Sequence, residues 1–288
     1  MINIFINGFG RIGQALYNIA KHDKDFNIIG INDIEEFELK GVKTYFVKNP
    51  SELDLRDVDI FIQANGKYLT IEQNQIFLNK GAKKVVISAP SPDAPHFMIG
   101  INEDSYTHEK IFSTSSCSAT AIAPVIKLFQ KYGIKSCYSS MIHSYTNDQA
   151  VLDRAKPYMD IRRTRSATLN ILPLYSTAPK AVRDFFPDLS IEAKSIRVPI
   201  AYCTYYDITL YLDKEVDNLH DKLVSSCHDY ISYTYEQKVS SDFIKDLNFL
   251  TYDLSFCKSY GKMVKISAWQ DNEYGYSNQL LSTIKALS

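Results

Sequence analysis

Two side chains in this sequence could support nucleophilic catalysis, a cysteine and a histidine. Cys117 lies in a run of small polar residues, and an apolar stretch typical of a helix follows it. A thiol at the start of a helix meets the positive end of the helix dipole and free N–H groups, which favour the reactive thiolate. His143 closes the next predicted strand and could return to Cys117 as a base. A single cysteine and a single histidine are more often structural than catalytic. Covalent catalysis by this pair is therefore a hypothesis, with a structural role as the alternative.

A glycine-rich turn could hold a dinucleotide. Gly8, Gly10 and Gly13 have the spacing G-x-G-x-x-G between a predicted strand and a predicted helix, and Asp33 follows the next strand. Such a turn lets the backbone approach a pyrophosphate at the helix start. An acidic residue at this distance accepts hydrogen bonds from the ribose hydroxyls, and it would repel a 2′-phosphate, so NAD is expected rather than NADP. The alternative is that the glycines only shape a turn and Asp33 caps the strand.

The elements around this turn predict a doubly wound domain. The apolar run at residues 2–6 is typical of a buried parallel strand, and residues 12–19 have the spacing of a helix face. A second strand at residues 26–31 completes a βαβ unit, which requires a parallel sheet. Further predicted elements are strands at residues 58–64 and 84–88 and a helix at residues 71–79. This alternation predicts an α/β fold of the Rossmann type, continuing to about Ser116.

The second half of the chain has a different pattern. Few helices separate its predicted strands, which lie at residues 139–143, 195–198, 204–212 and 263–269. One helix is expected near residues 216–231 and a last one at about residues 277–287. The sequence therefore predicts an α+β catalytic domain with a mostly antiparallel or mixed sheet at residues 117–270. An NAD-binding domain would comprise residues 1–116 and 271–288.

Composition excludes several classes of protein. Among 288 residues, 32 basic side chains oppose 33 acidic ones, giving a net charge of −1 without a long block of one sign. Such a surface does not favour nucleic acid or anionic membranes. No apolar run reaches the roughly 20 residues of a membrane span. Five widely spaced cysteines without a Cys-x-x-Cys pair argue against a metal cluster or disulfide framework. A cytoplasmic protein with no metal, membrane or nucleic-acid partner is expected.

Taken together, the motifs resemble those of the phosphorylating glyceraldehyde-3-phosphate dehydrogenase family. The matches occur in the family's order over nearly the whole chain, at residues 7–13, 31–33, 85–91, 116–117, 123–124, 143–146, 197–199 and 271–278. The resemblance implies oxidation of an aldehyde through a covalent thioester. Cys117 would be the nucleophile and His143 the base, NAD would accept the hydride, and inorganic phosphate would release an acyl phosphate.

The same resemblance implies roles for further residues. Asn272 matches the position that holds the nicotinamide carboxamide, and Arg11 and Ile12 match the pyrophosphate contacts. Thr146 and Arg197 fall on the positions that bind the substrate phosphate. Ser116 and Ser118 fall near the attacking phosphate, and Ser176 and Thr177 provide hydroxyl groups in the family's phosphate loop. The family also implies a homotetramer, in which residues 158–165 would lie near a neighbouring subunit.

Departures from the family pattern leave alternatives open. The first domain is shortened between Asp33 and Val58, on the adenine side, which puts the affinity for NAD in doubt. The phosphate loop at residues 174–179 lacks the family's glycine, and residues 65–67 replace another small hydroxyl pair. One alternative is erythrose-4-phosphate dehydrogenase, which has similar runs at residues 147–149 and 162–165 and releases a free acid. The other is a non-catalytic relative that binds NAD or a protein partner as a scaffold.

Overall fold

The computed structural model describes residues 1–146, 149–154 and 160–288. Its helices are α1 (Arg11–Ala20), α2 (Ile71–Asn79), α3 (Cys117–Phe129), α4 (Ala178–Arg183), α5 (Leu219–Ser225) and α6 (Tyr274–Ala286). Its strands are β1 (Ile2–Asn7), β2 (Phe26–Asn32), β3 (Thr44–Tyr45), β4 (Ile60–Gln63), β5 (Lys84–Ile87), β6 (Ile111–Ser113), β7 (Ile134–Ser144), β8 (Leu172–Tyr175), β9 (Ile191–Val198), β10 (Thr204–Leu212), β11 (Ile231–Thr234), β12 (Leu250–Asp253), β13 (Lys258–Tyr260) and β14 (Met263–Gln270).

These elements form two compact units. Unit 1 comprises residues 1–117 and 276–288, and unit 2 comprises residues 118–275. The assignment of one half to cofactor binding and the other to catalysis stays a prediction. None of the described helices combines the length and the apolar character that crossing a membrane requires.

Unit 1 is built on a parallel sheet. Within the described residues its strand order is β3-β2-β1-β4-β5-β6, and every neighbouring pair is parallel. The side chains of β1 alternate between two apolar layers. Ile4 and Ile6 pack with Leu16 of α1 and with α6, whereas Phe5 packs with Phe61 and Phe77 on the opposite face. Helices therefore cover both faces, which confirms the predicted doubly wound α/β fold.

Unit 2 is built on a mixed sheet. Its path among the described residues is β11-β12-β14-β10-β7-β9-β8, with β13 paired to β14. Strand β10 runs antiparallel to both of its neighbours, β7 and β14. By contrast, β7 runs parallel to β9, and β11 runs parallel to β12. On β10, Thr204, Tyr206, Ile208 and Leu210 alternate as buried residues, as expected when one face of a sheet is covered. The mixed sheet agrees with the sequence prediction.

The helix predicted near residues 216–231 was too long. Helix α5 ends at Ser225, and a turn leads to Ile231, which starts β11 and pairs with Leu250 of β12. Apolar spacing in this segment resembled a helix, but pairing with a strand distant in sequence determines its last part. Periodicity cannot register such a pairing because it reads only local order.

Candidate active site

The glycine turn has the backbone geometry that the sequence predicted. Gly8 has a φ of 109°, which favours glycine, and an added Cβ there would lie 2.6 Å from the Asn65 nitrogen. A Cβ on Gly13 would lie 1.9 Å from the Gly8 carbonyl oxygen, so this glycine permits the close approach of turn and helix. Around Gly10, by contrast, no heavy atom of the described residues other than its own chain neighbours lies within 4 Å of the Cβ position. The space beside Gly10 at the start of α1 therefore admits another group.

Asp33 closes this turn through backbone contacts. Its carboxylate accepts hydrogen bonds from the N–H groups of Phe9 and Ile34, the latter at 2.7 Å. Asp33 therefore makes the contacts expected of a residue that caps the strand, which was the alternative interpretation of its role. A carboxylate has about four acceptor positions, so these bonds do not exclude further bonds to ribose hydroxyls. On the same side, the half-buried ring of Phe37 stacks on Phe9 with ring centroids 4.4 Å apart.

A chain of buried amides joins the ends of three strands beside the turn. Asn7 donates to Gln63 Oε1 at 2.6 Å, and Asn32 donates to Asn7 Oδ1 at 2.9 Å. These residues are the last of β4, β1 and β2, at the carboxyl edge of the sheet where ligands bind in such folds. The sequence prediction missed this chain. Its one signal was a polar residue at the end of each apolar run.

Cys117 lies at the same sheet edge, at the first position of α3. It is half-buried and packs against the apolar cluster that contains β1, α1 and α6. The first turn of α3 contains no acidic residue that would oppose a thiolate. Pro124 lies in the interior of α3 without ending it. Ser116 and Ser118 flank the thiol and are also half-buried.

The segment before Cys117 is held by buried hydroxyl groups. Ser113 Oγ donates to the Ala89 carbonyl at 2.6 Å and accepts from the Ser115 N–H at 2.9 Å. The Tyr276 hydroxyl donates to the Ser115 carbonyl at 3.2 Å and lies 3.0 Å from Thr114 Oγ1. Ser115 has a φ of 63°, in the left-handed region, so the chain makes a sharp turn directly before the helix. The role of Tyr276 was not predicted from the sequence.

His143 lies near the end of β7, in unit 2, and is 4% exposed. Its neighbours in register are Arg197 on β9 and Thr204 on β10. Arg197 Nη1 lies 2.6 Å from His143 Nδ1 and donates to the Ser144 carbonyl at 2.8 Å. The same ring nitrogen lies 2.7 Å from that carbonyl. Two residues predicted separately are therefore in direct contact.

Asn272 is joined to this cluster through Ser144. Its Oδ1 accepts from Ser144 Oγ at 3.2 Å and from Thr204 Oγ1 at 3.4 Å, and the residue is 4% exposed. These two hydroxyls hold the oxygen end of the Asn272 amide, and its NH2 group points away from them. Asp271 stabilises the following turn by accepting from the N–H groups of Glu273 and Tyr274, both at 2.9 Å.

The remaining predicted anion ligands are held in local turns. Thr146 contacts Gln149 through both its N–H and its hydroxyl, at 2.8 and 3.1 Å. Ser176 Oγ accepts from the Ala178 N–H at 3.0 Å, and Thr177 is exposed directly before α4. Arg11 begins α1 and Ile12 follows it, both half-buried. The predicted residues 147–148 and the start of segment 158–165 lie outside the described residues.

The protein belongs to the class of α/β proteins that have a Rossmann-type unit and a second unit built on a mixed sheet. A family model for the C-terminal domain of glyceraldehyde 3-phosphate dehydrogenase matches residues 116–272. The chain is 34% identical to glyceraldehyde-3-phosphate dehydrogenase of Helicobacter pylori strain J99, over 97% of both chains. It is also 34% identical to the Thermotoga maritima protein of that name, over 100% of this chain and 99% of the relative. Glyceraldehyde-3-phosphate dehydrogenase 1 of Kluyveromyces marxianus is 32% identical over 99% of both.

The protein therefore belongs to the glyceraldehyde-3-phosphate dehydrogenase family, as the resemblance of its motifs predicted.

Proposed function

We propose that this protein oxidises glyceraldehyde 3-phosphate to 1,3-bisphosphoglycerate with NAD and inorganic phosphate, through a thioester on Cys117. One observation carries the proposal: in a chain of this family, Cys117 begins a helix, and His143, Arg197 and Asn272 gather around Ser144. The family supports a dehydrogenase. The substrate, the phosphorylating outcome and the roles of these residues are our proposal.

The residues of the glycine turn fit a dinucleotide. The open space beside Gly10 and the N–H groups at the start of α1 suit a pyrophosphate, and the Asp33 carboxylate suits ribose hydroxyls. When bound, NAD supplies an acceptor for the hydride of the oxidised carbon. The residues that would hold it are Gly8, Gly10, Arg11, Ile12, Gly13, Asp33 and, through its oriented amide, Asn272.

The chain's own residues would perform the acyl chemistry. His143 would take the proton of the Cys117 thiol, and the thiolate would add to the aldehyde carbon. The protonated ring would return that proton to the oxygen of the adduct and, once neutral again, would remove it as the hydride leaves the carbon, which gives the thioester. The N–H of Cys117 at the helix start, together with His143, would stabilise the oxyanion. The resulting thioester keeps the carbonyl activated for a second nucleophile, inorganic phosphate. Cys117 then leaves as a thiolate and is ready for another cycle.

Two anion sites would serve the two phosphates. Arg197, with the hydroxyl of Thr146, would bind the phosphate of the substrate, because a guanidinium and a hydroxyl suit a dianion. Hydroxyl groups for the attacking phosphate would come from Ser116, Ser118, Ser176 and Thr177. We further propose that the protein acts in the cytoplasm, in glycolysis or gluconeogenesis, as a homotetramer. Sizing in solution against the chain mass of 32.9 kDa tests that assembly.

One observation favours a second candidate, erythrose-4-phosphate dehydrogenase. In the loop before α4 the Ala178 N–H already donates to Ser176 Oγ, and Pro179 has no N–H. The loop also lacks the family's glycine, so its backbone is less accessible to an anion. A weaker site for inorganic phosphate would favour water as the second nucleophile and a free acid as the product.

The test is NADH formation from glyceraldehyde 3-phosphate and from erythrose 4-phosphate, each with and without inorganic phosphate. We expect oxidation of glyceraldehyde 3-phosphate that depends on phosphate. Phosphate-independent oxidation of erythrose 4-phosphate would establish the second candidate instead. No NADH in any of the four assays, with NAD still bound, would leave the non-catalytic scaffold.

The covalent step is tested by Cys117→Ser. This variant should bind NAD and lose oxidation, because a serine hydroxyl is a far weaker nucleophile at neutral pH than a thiolate. Cys227→Ser is the matched control, since burial raises the pKa of that thiol and no role is proposed for it. Full turnover by Cys117→Ser would refute the thioester mechanism.

A further inference from the structure

Four aromatic rings form a continuous run beside the glycine turn of unit 1. Tyr17 of α1 contacts Phe9, a residue of the turn itself, edge to face with ring centroids 6.0 Å apart. Phe37 stacks on Phe9 at 4.4 Å, and Phe46 meets Phe37 edge to face at 5.5 Å. Within the described part of the chain Phe46 is the last ring of this run, and it is 39% exposed. Its ring is therefore accessible to a further planar group.

The backbone holds Phe46 at the edge of the sheet where the dinucleotide is proposed to bind. Because β3 runs parallel to β2, Phe46 follows β3 at the same edge at which Asp33 follows β2. The Asp33 N–H donates to the Tyr45 carbonyl at 3.1 Å, which joins the two strand ends. On the other side of Phe46, the amide of Asn32 accepts from the Val47 N–H at 2.9 Å and donates to the Val47 carbonyl at 3.2 Å. The position of the Phe46 backbone is therefore fixed from both sides.

The charge of the segment that carries Phe37 and Phe46 suits a neutral ligand group. Residues 34–48 contain three glutamates and three lysines, which cancel: Glu35, Glu36, Glu38, Lys40, Lys43 and Lys48. A segment without net charge does not favour a phosphate. An exposed aromatic ring binds a neutral base by stacking on its face.

We propose that Phe46 stacks on the adenine ring of NAD and that Phe37 supports Phe46 in this position. This inference rests on the proposed function for the dinucleotide and for the bonds between its ribose and Asp33. The adenine is bonded directly to that ribose, so a ribose held by Asp33 keeps the base close to the carboxyl ends of β2 and β3, where Phe46 lies. The consequence is that the short segment after Asp33 contributes to the affinity for the dinucleotide.

The direct test is calorimetric titration with ADP-ribose, which contains the adenosine and pyrophosphate of NAD and no nicotinamide. In Phe46→Leu the side chain stays apolar and loses its planar face, so the affinity should fall about tenfold, which corresponds to about 1.4 kcal/mol. Phe46→Tyr keeps the ring and should retain the affinity of the wild type. Phe256→Leu is the matched control, because Phe256 is an exposed phenylalanine of unit 2 for which no role is proposed. Equal affinities of the wild type and Phe46→Leu would overturn the proposal.

Proton NMR of the ligand distinguishes stacking from an indirect effect on the fold. An aromatic ring stacked on a base shields its protons, so H2 and H8 of the adenine should shift upfield when ADP-ribose binds to the wild type or to Phe46→Tyr. At concentrations that saturate Phe46→Leu, this shift should be smaller. An equal upfield shift in the wild type and in Phe46→Leu would show that Phe46 does not stack on the base, and the proposal would fail.

Sizing in solution separates a ligand site from an interface between copies of the chain. If a second copy covered Phe46, Phe46→Leu would change the oligomeric state and keep the affinity for ADP-ribose, which would also overturn the proposal.

Binding and shielding are measured without turnover, so this inference and the proposed function can fail separately. Weaker binding of ADP-ribose by Phe46→Leu, in a protein that forms no NADH, would refute the proposed function and support stacking by Phe46. Full dehydrogenase activity, with equal affinities of the wild type and Phe46→Leu, would refute only the stacking.

Discussion

The buried hydroxyl of Tyr276 joins helix α6 to the backbone that leads into Cys117. Tyr276 is 2% exposed, and burial raises the pKa of its phenol, so the hydroxyl stays protonated and able to donate. It donates to the carbonyl of Ser115, a non-glycine residue in the left-handed region. Such a conformation costs on the order of 1–3 kcal/mol and persists only where neighbouring contacts enforce it. Tyr276 and Thr114 supply those contacts.

We therefore expect Tyr276→Phe, which removes one hydroxyl group, to lower both the stability of the protein and the reactivity of the Cys117 thiol. The change keeps the ring and leaves the Ser115 carbonyl and the Thr114 hydroxyl without this partner, which should lower the free energy of unfolding by about 1–3 kcal/mol. Alkylation of Cys117 by iodoacetamide at neutral pH should slow, because the start of α3 is held less firmly. Urea unfolding and the alkylation rate check both effects.

Tyr206→Phe is the control for Tyr276→Phe. Tyr206 is a fully buried tyrosine of β10, in unit 2, and its hydroxyl donates to Gln270 Oε1 at 2.9 Å, so the variant tests the general cost of removing a buried, hydrogen-bonded phenol hydroxyl. It should change stability without changing the reactivity of Cys117. Equal alkylation rates for Tyr276→Phe and the wild type would show that the hydroxyl does not position the cysteine.

In the turn between β1 and α1, Gly10 and Gly13 have different roles. A Cβ at Gly13 would lie 1.9 Å from the Gly8 carbonyl oxygen, so Gly13→Ala must shift the turn or the helix. We expect a loss of unfolding free energy of at least about 1–3 kcal/mol, the usual cost of overpacking. Denaturant unfolding of Gly13→Ala measures it.

Gly10→Ala should separate binding from folding. Beyond the chain neighbours of Gly10, no heavy atom in the described part of the chain lies within 4 Å of the Cβ position. The φ of −68° also suits alanine, so unfolding should match the wild type. A methyl group in the space proposed for the pyrophosphate should weaken NAD binding about tenfold, which corresponds to about 1.4 kcal/mol. Calorimetric titration with NAD measures this, and wild-type affinity would place the dinucleotide elsewhere.

Elements with strong local patterns could be predicted from the sequence, and contacts between distant strands could not. Neighbouring residues alone determine strand β1 and the glycine turn that follows it, and both occur in the structure where the sequence predicted them. The bond between His143 and Arg197 depends on β7 lying parallel to β9, and the amide chain through Asn7 depends on the order β2-β1-β4. Strand order results from packing of the whole unit, so no local pattern encodes it.

The five thiols of the chain differ in burial and in the pKa that burial produces. Burial raises the pKa of Cys137 and of Cys257 to about 12. Burial also raises the pKa of Cys203, and the carboxylates of Asp271 and Glu273 add to this. Cys227 is half-buried, and its pKa is raised by the same cause. These four thiols therefore stay protonated at neutral pH, whereas Cys117 lies half-buried at a helix start.

This distribution predicts one reactive thiol per chain. A thiol whose pKa is raised carries little thiolate at pH 7, and the thiolate is the form that reacts. Iodoacetamide at pH 7 should therefore label Cys117 alone, and mass spectrometry of peptides identifies the site. Raising the pH should add Cys227 next, because the fully buried thiols are both less accessible and ionised only at still higher pH. Labelling of Cys227 as fast as Cys117 at pH 7 would mean that the helix start does not activate the cysteine, and the covalent mechanism would lose its physical basis.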